Sequence, residues 1–211
     1  MDAAVTADPT VFVVDDDPAM RQSLRWLLQS VGLAVETYGT AEAFLAAVDG
    51  TRAGCLVLDV RMPGMSGLHL QEELKHRGIM LPIIVVTGYA EVPTAVRALK
   101  TGAIDFIEKP FSDQMLVESV RHALALDQQA RATEAERAEV TARLALLSAR
   151  EREVMERVTE GKPNKIIAAE LGIGEKTVEV HRANVMRKVG VGSVAALIRL
   201  VLLARGARGK P

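Results

Sequence analysis

The stretch LVLDVRMPGMSG, residues 56–67, joins a short apolar run to an acidic residue, Asp59, and to a turn rich in Pro, Gly and Ser. Apolar runs of this length that are rich in branched side chains are typical of strands buried on both faces. The first 125 residues contain five such runs, which are Val11–Val14, Ala34–Thr37, Cys55–Leu58, Ile83–Val86 and Ala103–Ile107. The quoted stretch therefore predicts the third strand of a sheet and the turn that follows it.

Amphipathic segments separate the five runs and carry helix start and stop signals. Thr40 and Ser66 are suited to N-caps, Pro18 to a first turn, and Gly78 and Gly102 to positions just after a last turn. The predicted helices are Pro18–Val31, Ala41–Val48, Leu68–Arg77, Pro93–Lys100 and Ser112–Leu126. The regular alternation of strand and helix predicts an α/β fold, a doubly wound five-stranded parallel sheet.

Charged and hydroxyl side chains follow four of the predicted strands. They are Asp15, Asp16 and Asp17 after the first strand, Asp59 after the third, Thr87 after the fourth and Lys109 after the fifth. In a parallel sheet these positions share one edge, where ligands bind. Clustered carboxylates repel unless a cation neutralises them, and Mg²⁺ is the usual ion for oxygen ligands. A carboxylate there can also act as a nucleophile and form an aspartyl phosphate.

Residues 11–125 resemble the receiver domain of two-component response regulators. Four motifs carry the resemblance, which are VFVVDDDP, LVLDVRMPGMSG, IIVVTGYA and DFIEKPF. It implies that Asp59 is the phosphoacceptor, that a sensor histidine kinase is the donor, and that Mg²⁺ is the cofactor. The implied metal ligands are Asp16, Asp59, the backbone carbonyl of Arg61, and Asp15 through a water molecule.

The same resemblance assigns roles around the phosphoryl group. Thr87 and Lys109 would hold that group, Phe106 matches an aromatic switch residue, and the Lys109–Pro110 peptide bond is expected to be cis. Asp17 has no fixed role in the family and is expected to cap the first helix.

Phosphorylation is expected to produce a homodimer that pairs through the fourth helix and the fifth strand. The residues expected at this dimer face are Val92, Val96, Arg97, Lys100 and Glu108. In a two-fold interface the apolar patch would supply most of the affinity, and each basic group would meet an acid of the partner.

An enzyme alternative exists for the acidic cluster. Asp15-Asp16-Asp17 also fits the D-x-D pattern of haloacid-dehalogenase-type phosphatases. Those enzymes use a late acidic pair for the metal, and no acidic pair of that kind follows Lys109 in this sequence. The phosphoacceptor interpretation is therefore favoured.

Charge divides the chain into an acidic and a basic part. Residues 1–144 contain 13 Lys and Arg against 20 Asp and Glu, a net charge of −7, whereas residues 145–211 contain 13 against 7, a net charge of +6. The basic part is expected to face a polyanion. No apolar run reaches the roughly 18 residues of a membrane span, and the start lacks a signal-peptide pattern. These features predict a cytoplasmic protein without a membrane partner.

The second part of the chain has a helical pattern. Residues 127–143 are rich in Ala, Glu and Arg and predict a helical linker, with a disordered tether as the alternative. Residues 144–204 predict an all-α domain in which Lys165–Leu171, a Gly turn and Glu175–Val189 form a helix-turn-helix. A receiver domain at 11–126 would precede the linker, with an N-terminal tail at 1–10 and a basic tail at 205–211.

Residues 147–204 resemble the LuxR-type DNA-binding domain, in LSARE at 147–151, NKIIA at 164–168 and TVEVH at 177–181. The side chains expected to face base edges are Lys176, Glu179, Val180, Arg182, Ala183 and Arg187. Those expected at phosphates are Lys162, Lys165, Thr177 and Lys188. Two departures leave the base sequence open, since Gly174 replaces a common capping Ser, and Glu179 and Ala183 stand where relatives are often basic.

Together these features predict a phosphorylation-activated transcriptional regulator of a two-component system that binds double-stranded promoter DNA. RNA polymerase is a further candidate partner. The expected chemistry is limited to self-phosphorylation and slow autodephosphorylation of Asp59, so the chain is not predicted to be an enzyme. The alternative is a phosphoryl-relay or protein-interaction module without DNA output.

Overall fold

The computed structural model describes residues 8–88 and 91–206. The described residues up to Ala130 form one compact unit, and those from Arg131 onward form a second. The first unit contains the strands β1 (Thr10–Val14), β2 (Ala34–Tyr38), β3 (Gly54–Asp59), β4 (Ile83–Thr87) and β5 (Asp105–Glu108). Its helices are α1 (Pro18–Ser30), α2 (Ala41–Ala47), α3 (Gly67–His76), α4 (Val92–Thr101) and the first part of α5 (Asp113–Ala145).

The five strands form one parallel sheet in the order β2-β1-β3-β4-β5. One face packs residues such as Phe12, Leu56 and Val85 into a core with α2, α3 and α4. The other face packs Val13 and Ile84 against α1 and α5. The predicted doubly wound architecture is confirmed, and the order brings the ends of β1 and β3 side by side.

The edge strands correct two details of the predicted sheet. β2 is not buried on both faces, because it lies at an edge and its residues are half-buried or exposed. β5 begins at Asp105, not at Ala103, because the Ala103 amide donates to the Ala98 carbonyl at 3.0 Å and closes the end of α4. The chain turns out of α4 at Gly102, whose φ is 112°, a conformation that favours glycine.

Helix α5 runs unbroken from Asp113 to Ala145, so residues 127–143 are helical. Asp127, placed at the start of the linker by the sequence, is buried in the first unit. Its Oδ2 accepts a 2.9 Å hydrogen bond from the Gly54 amide at the beginning of β3. The first unit therefore holds α5 at least as far as Asp127.

The second unit contains the end of α5 and the helices α6 (Ala149–Thr159), α7 (Asn164–Leu171), α8 (Glu175–Val189) and α9 (Val194–Arg205). Helices α7 and α8 with the turn at Gly172 form the predicted helix-turn-helix. The core of this unit includes Val154, Ile167, Val185 and Leu197.

The ends of the chain differ from the predicted tails. Thr10 begins β1, and Arg205 is the last residue of α9. Residues 1–7 and 207–211 of those tails lie outside the described residues. None of the helices in the described ranges is both long and apolar enough to span a membrane.

Candidate functional site

Three carboxylates meet at the carboxyl end of the sheet. Asp15 and Asp16 follow β1 and Asp59 ends β3, and the pairing of Val14 with Leu58 makes these strands direct neighbours. The three side chains offer oxygens that all lie within 4.8 Å of one another. Asp15 is 3% exposed and Asp59 9%, whereas Asp16 is open to solvent. An all-oxygen set with one open side fits a hard divalent cation such as Mg²⁺.

Lys109 reaches this acidic cluster from the end of β5. Its Nζ donates to Asp15 Oδ2 at 2.7 Å and lies 3.3 Å from Asp59 Oδ2. Burial alone would lower the pKa of Lys109, but the hydrogen bond to Asp15 and the two carboxylate charges outweigh it, so the pKa is raised. The Lys109–Pro110 bond is cis, as expected.

Burial raises the pKa of the Asp59 carboxyl above its ordinary value, and the neighbouring Asp15 adds to this effect while Lys109 opposes it. One ammonium faces three carboxylates in the cluster. In formal charges this leaves an excess of two negative charges, which a divalent cation would balance.

Close backbone packing holds the loop that follows Asp59. The Gly67 amide donates to the Val60 carbonyl at 3.0 Å. A Cβ at Gly67 would lie 2.1 Å from the Asp59 carbonyl oxygen, so no larger residue fits there. Helix α3 therefore begins in direct contact with the backbone of Asp59.

Arg21 is a site residue that sequence reasoning missed. Its guanidinium donates to the Asp15 carbonyl oxygen at 2.7 Å from within α1. Asp15 Oδ1 also accepts from the Asp17 amide at 2.9 Å. These two bonds fix the loop at Asp15. No local sequence pattern predicts the bond from Arg21.

The other residues that the receiver resemblance singled out lie on β4, on β5 and after β3. Thr87 ends β4 and is 1% exposed, and its carbonyl accepts from the Lys109 amide at 2.8 Å. Phe106 is half-buried against the core of the α4 side. Arg61 has an exposed side chain, and its amide lies 3.4 Å from Asp59 Oδ1.

Asp17 lies outside the acidic cluster. Its carboxylate caps α1 by accepting from the Ala19 amide at 2.8 Å. The D-x-D alternative needs Asp17 as a working carboxylate, so this arrangement argues against it.

Helix α4 presents an apolar stripe to solvent. Val92 is 76% exposed, Val96 44% and Leu99 50%, and their spacing places them on one helical face. Leu99 was not predicted to belong to this stripe. Arg97 forms an ion pair with Glu72 of α3 at 2.8 Å, and its place at the dimer face stays a prediction. Lys100 and Glu108 are exposed.

In the second unit, α8 displays a solvent-facing stripe. It comprises Lys176, Glu179, Val180, Ala183 and Arg187, all exposed. Their spacing of three, four, seven and eleven residues follows the helical repeat. Val178, Val185 and Val189 lie on the opposite, buried side. Thr177 and Lys165 are exposed beside this surface, in the first turns of α8 and α7.

Three residues that are predicted to contact nucleic acid also form contacts within the second unit, and their predicted roles stay predictions. Lys162 pairs with Glu170 at 2.7 Å and Glu160 at 3.1 Å. Arg182 is half-buried and donates to Asn164 Oδ1. Lys188 donates to the buried Glu151 at 2.7 Å. For Lys188 this geometry favours a structural role, since contact with a phosphate would compete with a buried partner.

Glu151 makes two kinds of contact. It completes the predicted capping box with Ser148 at the start of α6, and it holds Lys188 of α8. The Lys188 hydrogen bond, followed by that of the Ser148 amide, lowers the pKa of Glu151 to about 2. This bond joins α6 to α8, the second helix of the helix-turn-helix.

Comparisons with known proteins assign each part of the chain to a family. Residues 11–121 match the model of the response regulator receiver domain. Residues 145–201 match that of bacterial regulatory proteins of the luxR family. Over 194 residues the chain is 50% identical to the transcriptional regulatory protein FixJ of Azorhizobium caulinodans, covering 92% of each chain.

Two solved structures are also similar to this chain. The response regulator StyR shares 45% identity at a TM-score of 0.84, with 92% of this chain and 98% of that chain covered. Full-length FixJ from B. japonicum shares 44% identity at a TM-score of 0.58, with 95% and 98% covered.

The fold and the acidic cluster define a receiver, and α7 with α8 defines a DNA-binding output. The chain belongs to the family of two-component response regulators that join a receiver domain to a LuxR-type DNA-binding domain. It is a phosphorylation-dependent transcriptional regulator, which sets aside the alternative without DNA output.

Replacing Lys188 tests its structural role. Lys188→Met keeps the aliphatic stem but leaves Glu151 buried without its cation, so the free energy of unfolding of the second unit should fall by about 1.5–3 kcal/mol near neutral pH. Glu151 has a lowered pKa, so its contribution is present above its ordinary pKa of 4.5 and is lost as the pH falls toward about 2. The difference between variant and wild type should shrink across that range.

Urea unfolding of the full chain, followed by circular dichroism at several pH values, measures this effect. Arg187→Met is the matched control, because Arg187 is an exposed cation on the same helix. Equal stability of Lys188→Met and wild type near neutral pH would contradict the structural role.

Proposed function

We propose that Asp59 accepts a phosphoryl group from a sensor histidine kinase and that this modification controls DNA binding by the second unit. The observation that carries the proposal is the meeting of Asp59 with Asp15, Asp16 and Lys109 at one edge of the sheet. An acceptor carboxylate, a pair of metal-binding carboxylates and a cation are the parts that phosphoryl transfer requires.

Each residue at this edge of the sheet would have a different role in phosphoryl transfer. Asp59 supplies the attacking carboxylate oxygen, and a new O–P bond forms as the donor's bond to phosphorus breaks. Lys109, already hydrogen-bonded at the cluster, would neutralise phosphoryl oxygens, and the Thr87 side chain would donate a hydrogen bond to them. Asp16, Asp59 and the Arg61 carbonyl would hold Mg²⁺, with Asp15 acting through water. When bound, Mg²⁺ supplies positive charge to the phosphoryl oxygens.

Phosphorylation adds about 1.5 to 2 negative charges at the end of β3. We expect Thr87 and Phe106 to rearrange toward this charge and α4 to shift with them. Two phosphorylated chains would then pair through Val92, Val96 and Leu99. Lys100 of each chain would meet Glu108 of the other, because both are exposed whereas Arg97 is held by Glu72.

Dimerisation would bring two copies of α8 onto paired half-sites in the major groove of promoter DNA. The α8 stripe would face base edges, and Lys165 and Thr177 would contact phosphates. Phosphate contacts fix the position of a protein on DNA without specifying sequence. RNA polymerase would be the next partner at the promoter.

The first test replaces the acceptor. Asp59→Asn keeps the size of the side chain but removes the nucleophilic charge, so labelling by acetyl phosphate or by a kinase should be lost, together with phosphate-dependent dimerisation. Asp17→Asn is the matched control and should be labelled like wild type, since Asp17 only caps α1. Full phosphate incorporation into the Asp59→Asn variant would overturn the assignment.

The dimer face is tested by Val96→Asp. A carboxylate in the apolar stripe should weaken the phosphorylated dimer at least tenfold, about the cost of burying one unpaired polar group, while phosphorylation of Asp59 stays intact. Sedimentation of the phosphorylated protein measures the dimer. Met80→Asp is the control, because Met80 is 81% exposed and lies outside α4. A Val96→Asp dimer as tight as wild type would show that another surface is used.

Salt dependence distinguishes phosphate contacts from structural lysines. Removing one phosphate contact reduces the slope of log K against log salt by about 0.9. A dimer loses one such contact in each chain, so Lys165→Ala should reduce the slope for duplex DNA binding by about twice that amount. Lys188→Met should keep the wild-type slope, because Lys188 is bound to Glu151. Fluorescence anisotropy across a salt series measures both slopes, and a reduced slope for Lys188→Met would reverse the assignment.

A further inference from the structure

A buried amide lies between α3 and α4. Gln71, in the second turn of α3, is 2% exposed. Its Nε2 donates to the carbonyl oxygen of Ala98, near the end of α4, at 2.9 Å. Its Oε1 is buried and has no hydrogen-bond partner among the described residues.

The bond from Gln71 is not needed to satisfy the end of α4. The Ala98 carbonyl already accepts from the Gly102 and Ala103 amides. An unpaired buried amide oxygen costs free energy, and an apolar side chain of similar volume would avoid that cost. A buried amide whose oxygen is left unpaired therefore needs an explanation other than stability.

The position of Gln71 supplies that explanation. Helix α3 begins at Gly67, which packs directly against the Asp59 carbonyl, and Gln71 follows about one turn later. Its acceptor, Ala98, stands between Val96 and Leu99 in sequence but is fully buried, on the core side of α4. A single helix thus contacts the phosphoacceptor backbone at one end and α4 one turn further on. The nearby Glu72–Arg97 pair also spans α3 and α4, but it is exposed to solvent.

We propose that Gln71 is a positioning residue that holds the last turn of α4 against α3 in the unphosphorylated protein. A hydrogen bond shielded from water discriminates between two helix positions more sharply than apolar contact, because apolar contact is non-directional. Loss of this bond would leave α4 free to adopt other positions. The link to phosphorylation rests on the proposed function, whereas the anchoring itself does not.

Hydrogen exchange of the full-length, unphosphorylated protein tests the anchoring. Gln71→Met keeps the volume but removes the donor, so the Gly102 and Ala103 amides should exchange about fivefold faster, the loss expected for one typical hydrogen bond. Amides of β1 and β3 should exchange as in wild type. Glu72→Gln is the matched control, which removes the neighbouring exposed link, and it should change α4 exchange less than Gln71→Met.

Two results would overturn the anchoring. One is unchanged exchange at Gly102 and Ala103. The other is faster exchange spread evenly over α4 and the central strands, which would mark a merely structural side chain. Gln71→Leu provides a second apolar replacement if the Met variant folds poorly, with the same expected pattern.

Dimerisation supplies a separate readout. Gln71→Met should be phosphorylated at the wild-type rate, but the ratio of dimerisation constants with and without phosphate should fall about fivefold, because its unphosphorylated α4 is already released. An unchanged ratio would overturn the link to phosphorylation. If wild type itself did not dimerise on phosphorylation, the proposed function would fail, and the exchange result would still decide whether Gln71 anchors α4.

Discussion

Repulsion among three neighbouring carboxylates is the constraint on which the first unit depends. Asp15 and Asp59 are brought together by the pairing of β1 with β3, and both are almost fully buried. Burial and the charge of Asp15 raise the pKa of Asp59, and Lys109 opposes this effect. One ammonium does not balance three carboxylates, so the cluster keeps an excess of negative charge that suits a divalent cation. The sheet, the loop after β3 and the end of β5 are all arranged around this unbalanced charge.

A hydrogen bond and close backbone packing connect helices α3 and α4 to the acidic cluster. Gly67 ties α3 to the backbone of Asp59, and Gln71 ties α3 to α4. Packed interiors respond to a local change by moving between discrete arrangements, because they are not continuously deformable. Under the proposed function, a charge added at Asp59 would therefore move α4 and its apolar stripe to a second position.

The sequence predicts what depends on neighbours along the chain. The five strands, the caps at Asp17 and Ser66, the capping box at Ser148 and the helix-turn-helix all follow from local patterns, and they agree with the structure to within a few residues. The motifs that resemble the receiver family further predicted the roles of the residues in the acidic cluster.

Long-range partners were not predictable in this way. Lys188 meets Glu151 across 37 positions, Arg97 meets Glu72 across 25, and Gln71 meets Ala98 across 27. The sequence predicted Lys188 at DNA phosphates and Arg97 at the dimer face and gave Gln71 no role, because nothing in a local pattern states which helices pack together. The edge strands were misjudged for the same reason, since strand order decides which strands are covered.

Helix α8 is held differently at its two ends. Its C-terminal end is tied to α6 through Lys188, whereas its first turn begins after Gly174 without a side-chain cap. Order should therefore decrease toward the N-terminal turn, and freezing that turn on DNA would carry an entropic cost that makes discrimination there more sensitive to temperature.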